Sequence, residues 1–240
     1  APSDRSRHPQ SRRQRRLIGN THGMTPRQAP SRNLTAILAS ARSGALDHAW
    51  RQFEAAGFGE DDPDPAVHTL RGRLLKDRAL RATIAADRKH LFAEAARAYA
   101  RADALAAAPY HLINVATMRF LAGDQREAAA LAGQVVDRID IGGEIADTPY
   151  FIEATRAEAL LLQRQIETAT TVLRHAITLG SSWQDHAVTL RQLNLICEAS
   201  DLPCGWLDEF RPPASLHFAG HLGVAADDAA HATLTTQIDN

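Results

Sequence analysis

A solenoid of paired helices, all-α over most of its length, is the fold this sequence predicts. Three observations predict it. The first is one helical face written four times: Ala49-x-x-x-Phe53-x-x-Ala56, Ala95-x-x-x-Tyr99-x-x-Ala102, Ala128-x-x-x-Ala132-x-x-Val135 and Ala169-x-x-x-Leu173-x-x-Ala176. Positions i, i+4 and i+7 share a face, so each segment presents in outline a small, a larger and a small side chain to one neighbour. The second is composition. The 240 residues are 45% hydrophobic but only 5% aromatic, and an alanine-rich, aromatic-poor core suits backbones that approach closely. The third is Gly72, set inside Arg71-Gly-Arg-Leu-Leu-Lys-Asp-Arg78. Glycine costs about 1 kcal/mol in a helix interior. Its place here predicts a point where a second helix comes too near for any side chain.

The elements follow in order. Leu34, Ile37, Leu38 and Ala41 keep helical spacing and Gly44 ends that helix; Leu46, Ala49, Trp50 and Phe53 continue on its partner, closed by Gly57 and Gly59. Glu60–Pro65 is a turn, with Asp64-Pro65 as cap and first residue of a helix running from Ala66 to about Ala82. Ala93, Ala96 and Tyr99 mark the next, to about Ala106. Pro109 opens a helix that turns at Gly123-Asp124, and Ala128 to Val136 lie on its partner. Pro149 and Ile166 begin a further pair that Gly180 stops. Trp183–Ala199 and a short helix, Gly205–Phe210, complete the series.

The four faces begin 46, 33 and 41 residues apart. The tetratricopeptide repeat (TPR) has a period of about 34 residues and sets its small residues where paired helices cross. The prediction is therefore a TPR-like α-solenoid with irregular repeats over residues 33–211. Residues 1–32 carry eight arginines and one acid, a charge of +7, which leaves −8 for the remainder. That head is almost free of apolar residues and reads as a disordered basic tail. Residues 212–240 change character: Leu216-His-Phe-Ala-Gly-His-Leu-Gly223 reads as a strand and glycine turn, with a helix over 225–238, a partial α/β segment.

Several function classes are excluded or set aside. No run of about 18 apolar residues spans a membrane, and no apolar stretch follows the arginines as in a secretory signal. Cys197 and Cys204 are too few for a disulfide framework and fit a cytoplasmic location. Cys197, among apolar helix neighbours, reads as a core thiol. His217 and His221 lack further ligands for a metal, and Asp61, Asp62 and Asp64 read as a solvated turn. No hydrolase or metalloprotease motif occurs. No enzyme activity, cofactor or metal is expected, and nucleic acid could meet only the basic tail.

The residues singled out for partner binding are Arg73, Lys76, Arg78 and Asn114. On a chain of net charge −8 after residue 32, a cationic groove would draw an acidic protein segment or an adjacent domain. The competing structural reading pairs Lys76 with Asp77 at a joint between repeats, reaching toward Asn114.

The segments Gly72-Arg-Leu-Leu-Lys-Asp77, Ile113-Asn-Val-Ala-Thr117 and Leu121-Ala-Gly-Asp124 resemble the TRAF-binding TPR region of the apoptosis-signal-regulating kinases. They resemble more closely the bacterial proteins grouped with it, where Thr189-Leu-Arg-Gln-Leu193 and Pro212-Pro213…Leu216-His-Phe-Ala-Gly-His221 also have counterparts. The resemblance covers residues 34–222. It implies a regulatory scaffold in bacterial signalling that docks other domains. The alternative it implies is the regulatory part of a nucleotide-handling enzyme, of cyclase-like or α/β type.

Overall fold

In the computed structural model, residues 33–142, 147–180 and 182–211 are described; the expected basic tail and the expected α/β segment lie outside them. Among the described residues nine α-helices follow one another: α1 Leu34–Arg42, α2 Leu46–Ala55, α3 Pro65–Arg81, α4 Ala85–Leu105, α5 Pro109–Ala122, α6 Gln125–Ile141, α7 Pro149–Leu162, α8 Ile166–Thr178 and α9 Trp183–Ala199. A 3-10 helix, Gly205–Phe210, comes after them, and no strand occurs among the described residues. Each helix packs on the next within the pairs α1/α2, α3/α4, α5/α6 and α7/α8, and each pair packs on its successor. This is the TPR-like solenoid the sequence predicts.

Local chemistry sets the helix starts. Asn33, Asp64, Asp124 and Thr148 each accept a backbone N–H of the first turn through a side-chain oxygen. Pro65, Pro109 and Pro149 stand in first turns, where no intrahelical N–H bond is lost. Ser182 and Asp185 form a reciprocal capping box at α9. One start differs from expectation: α4 begins at Ala85, eight residues before Ala93. Its first two turns, Ala85–His90, are exposed and polar, so they carry no apolar period to read.

The repeated faces are the core. All twelve positions of the four small–larger–small sets are buried, with Ala49, Ala95, Ala128 and Ala169 fully so. Gly72 is explained by the same packing. A Cβ placed on it would stand 2.8 Å from two carbons of the Tyr99 ring, nearer than the ~3.5–4.0 Å of optimal carbon contact. The large residue of the α4 face thus lies directly on the α3 backbone.

In the second, third and fourth pairs the first helix is covered more than the second. In α5, nine residues from Pro109 to Phe120 are buried, among them Asn114 and Thr117. The helix touches α4 and α6, and beyond them α7 and α9. The inner side of the solenoid is therefore occupied at its centre by the protein's own α9.

Candidate functional site in the inner groove

The polar residues of the first helices meet there. Lys76 of α3 donates from Nζ to Oε1 of Gln192 on α9 at 2.5 Å. Gln192 donates from Nε2 to Oε1 of Glu158 on α7 at 2.9 Å, and Thr117 of α5 donates to the same oxygen at 2.5 Å. One chain of hydrogen bonds crosses four helices and joins residues as much as 116 positions apart. Burial pulls the Lys76 ammonium below its usual range, while Glu158 and Asp77 act in the other direction. Burial pushes the Glu158 carboxyl up, opposed by its bonds from Thr117 and Gln192 and by the charge of Lys76. Each ion is disfavoured by its surroundings and retained by the other.

Arg73 stands beside this chain. Its Nε lies 3.9 Å from Oδ2 of Asp77, and its side chain is 37% exposed. That Nε is itself buried and makes no hydrogen bond. Its charge acts on Lys76 and on the phenols of Tyr99 and Tyr110, both raised above the usual range, chiefly by burial. Asn114 is buried and donates from Nδ2 to the carbonyl oxygen of Tyr110 at 2.8 Å. Arg78 points elsewhere. A rotation of roughly 160° around the helix separates it from Lys76, and its guanidinium carbon lies 4.5 Å from the centroid of the Trp50 ring.

The expected four residues thus divide. Arg73, Lys76 and Asn114 stand at the inner side, two of them held by internal bonds, and Arg78 is stacked between the first two pairs. Lys76 does sit in a joint, but it bonds to Gln192 and not to Asp77, which faces Arg73 instead. Glu158 went unnoticed in the sequence. The available signal was a carboxylate inside an otherwise apolar series, next to Ala157 and Ala159, with Ala154 four before and Leu161 three after.

Of the remaining candidates, those among the described residues behave as ordinary structure. Asp64 caps α3, and Asp62 Oδ1 accepts the Asp64 N–H at 3.1 Å. Cys197 is buried, and its thiol is pushed up to about 12, first by burial and then by neighbouring Cys204; a thiol held protonated is a core group. His217 and His221 lie outside the described residues. No described helix is long and apolar enough to cross a membrane.

Comparison with known proteins gives one match. The family model described as Tetratricopeptide Repeats-Sensor matches residues 17–119, a span that ends within α5. No curated protein and no solved structure matches the chain. In architecture the described residues form a TPR-like helical-repeat solenoid, and residues 17–119 are similar to that family.

Proposed function

We propose that this protein is a non-enzymatic interaction and regulatory module of bacterial signalling, cytoplasmic, whose partner is an acidic protein segment or an adjacent domain. The observation that carries the reading is Arg73: a guanidinium with a buried, unsatisfied Nε at the edge of a groove whose other polar groups are internally bonded. Arg191, exposed on α9 and close enough to depress the Lys76 ammonium, adds a second cation to that edge. The TPR-type fold supports the interaction role, since stacked helix pairs serve widely as docking surfaces. The resemblance of residues 72–77 and 113–124 to a kinase regulatory region supports the regulatory one.

Partner contact falls on Arg73. Lys76 and Asn114 shape the groove from inside, and Arg78 contributes by holding the first pair against α3. The test is photo-crosslinking in cells from Tyr110, which is 38% exposed beside Arg73, compared with the same probe at Arg97 on the outer side of α4. A specific adduct from position 110, weakened by added salt and lost in Arg73→Glu, is the expected result. No adduct from 110, or one indifferent to Arg73→Glu, counts against the groove.

A further inference from the structure

Away from the groove, a cavity of about 240 Å3 lies between the α5–α6 turn and the α7–α8 turn. Phe120, Leu161, Leu162 and Leu202 line it together with Arg126 and Arg164, and no carboxylate does. Both arginines are exposed, and neither forms an ion pair or a side-chain hydrogen bond with any described residue. Arginines on the adjoining helices are engaged by contrast: Arg119 of α5 with Glu127, Arg174 of α8 with Glu209.

The backbone beneath Arg164 is a second observation. Four helices, α1, α5, α7 and α9, end alike. The N–H following a left-handed residue reaches back five positions: Ala45 to Ser40, Asp124 to Arg119, Gln165 to Leu160 and Leu202 to Cys197. The left-handed residue is Gly44 or Gly123 in the first two, but Arg164 at φ 63° and Asp201 at φ 52° in the others. Glycine takes this position without steric cost and other residues do not. Both substituted caps adjoin the cavity, together with the glycine cap of the α5–α6 turn; the remaining cap, at Gly44, lies away from it. Side chains kept in costly backbone conformations concentrate where a ligand is held.

We propose that this cavity binds a small carboxylate carried on a branched aliphatic body. The guanidiniums of Arg126 and Arg164 hold the carboxylate, for which their planar forks are suited. Phe120 and the leucines take the apolar part. The volume is below the roughly 300–1,000 Å3 of drug-sized sites, so the ligand is about the size of one amino acid. A free acid and the C-terminal residue of a peptide offer the same chemistry. This site does not rest on the groove reading, and Arg73→Glu leaves it intact.

Titration calorimetry of the full chain with N-acetyl-leucine, N-acetyl-leucine amide and a leucine-terminated pentapeptide tests it. The free carboxylates bind saturably and the amide at least tenfold more weakly. Arg126→Ala and Arg164→Gly each weaken binding at least fivefold. Arg164→Gly melts no lower than the parent, because glycine suits that backbone. Binding of both acids, or of the pentapeptide alone, assigns the site to chain termini, and N-acetyl-leucine alone to a free acid; either supports the site. The proposal is overturned by absence of saturable binding, by equal binding of the amide, by indifference to both substitutions, or by loss of binding only where the fold melts lower.

Discussion

The contact between α3 and α4 and the contact of α3 with α9 solve one problem in opposite ways. Both bring a helix against α3. At Gly72 the approach is made by removing a side chain, so that the Tyr99 ring lies on bare backbone. At Lys76, one turn further on, it is made by extending a charged side chain to Gln192 and into the field of Glu158. The first contact is dry, local and dominated by shape. The second depends on partners from four helices. A shape contact fails by a few tenths of an ångström and relaxes, whereas a charge left without its counterpart in low-dielectric surroundings has no such relief.

That difference is broken most severely at Lys76. Lys76→Ala leaves Glu158 without its cation, and the loss lies near the lower end of the ~3–5 kcal/mol typical of a broken buried pair, because Lys76 retains some exposure. Urea denaturation measures it. The double variant Lys76→Met with Glu158→Leu recovers most of the loss, since apolar groups need no counterpart. A double variant as unstable as Lys76→Ala would show that the chain is held by its neutral hydrogen bonds and not by charge. Shape is tested next at Ala169, fully buried on the α8 face. Ala169→Leu overpacks and costs ~1–3 kcal/mol; an unchanged midpoint would place the helix crossing elsewhere.

At Gly72 two effects oppose each other. Gly72→Ala gains about 1 kcal/mol of helix propensity and loses ~1–3 kcal/mol to the Tyr99 ring. The net is a loss of about 1 kcal/mol, and it turns into a gain when Tyr99→Leu is made first, a coupling that a double-mutant cycle reads. The smallest expected effect is a slope with pH. The Glu158 carboxyl sits higher in the folded chain than its ordinary 4.5. In the window just above 4.5 the folded state therefore holds more protons than the unfolded state, and stability falls as pH rises. The Lys76 ammonium sits lower than its ordinary 10.5, so stability rises with pH as 10.5 is approached. Glu158→Gln removes the acid-side slope and leaves the alkaline one. Denaturation midpoints of the two proteins across both windows provide the comparison, and parallel curves would exclude Glu158 as a titrating contributor.

The shape contacts were legible in the sequence because they are written at i, i+4 and i+7 of single helices. Ala49, Ala95, Ala128 and Ala169 identify the packed faces before any coordinates, and Gly72 announces a close approach, though not which ring makes it. The charge contact was half legible. Lys76 stood out by its type, but its partners Gln192 and Glu158 lie on helices far along the chain, and no local period links them. Asp77, adjacent in sequence, was the natural guess, yet one residue turns its side chain about 100° away from that of Lys76. The α4 start was illegible because Ala85–His90 faces water on every side. The left-handed caps at Arg164 and Asp201 were illegible for another reason: the signal for such a cap is glycine, and neither position has one.

The bond from Lys76 to Gln192 alters the mechanics of the array as a whole. In an open stack of repeats each unit feels only its neighbours, stability accumulates unit by unit, and ends fray while the middle persists. A tie between the second pair and α9, 116 positions apart, closes that line into a loop. Fraying at α9 then removes support from α3, and the units melt together. Amide hydrogen exchange in α3 and α9 should accordingly report one shared opening free energy, and cutting the tie should separate it into two.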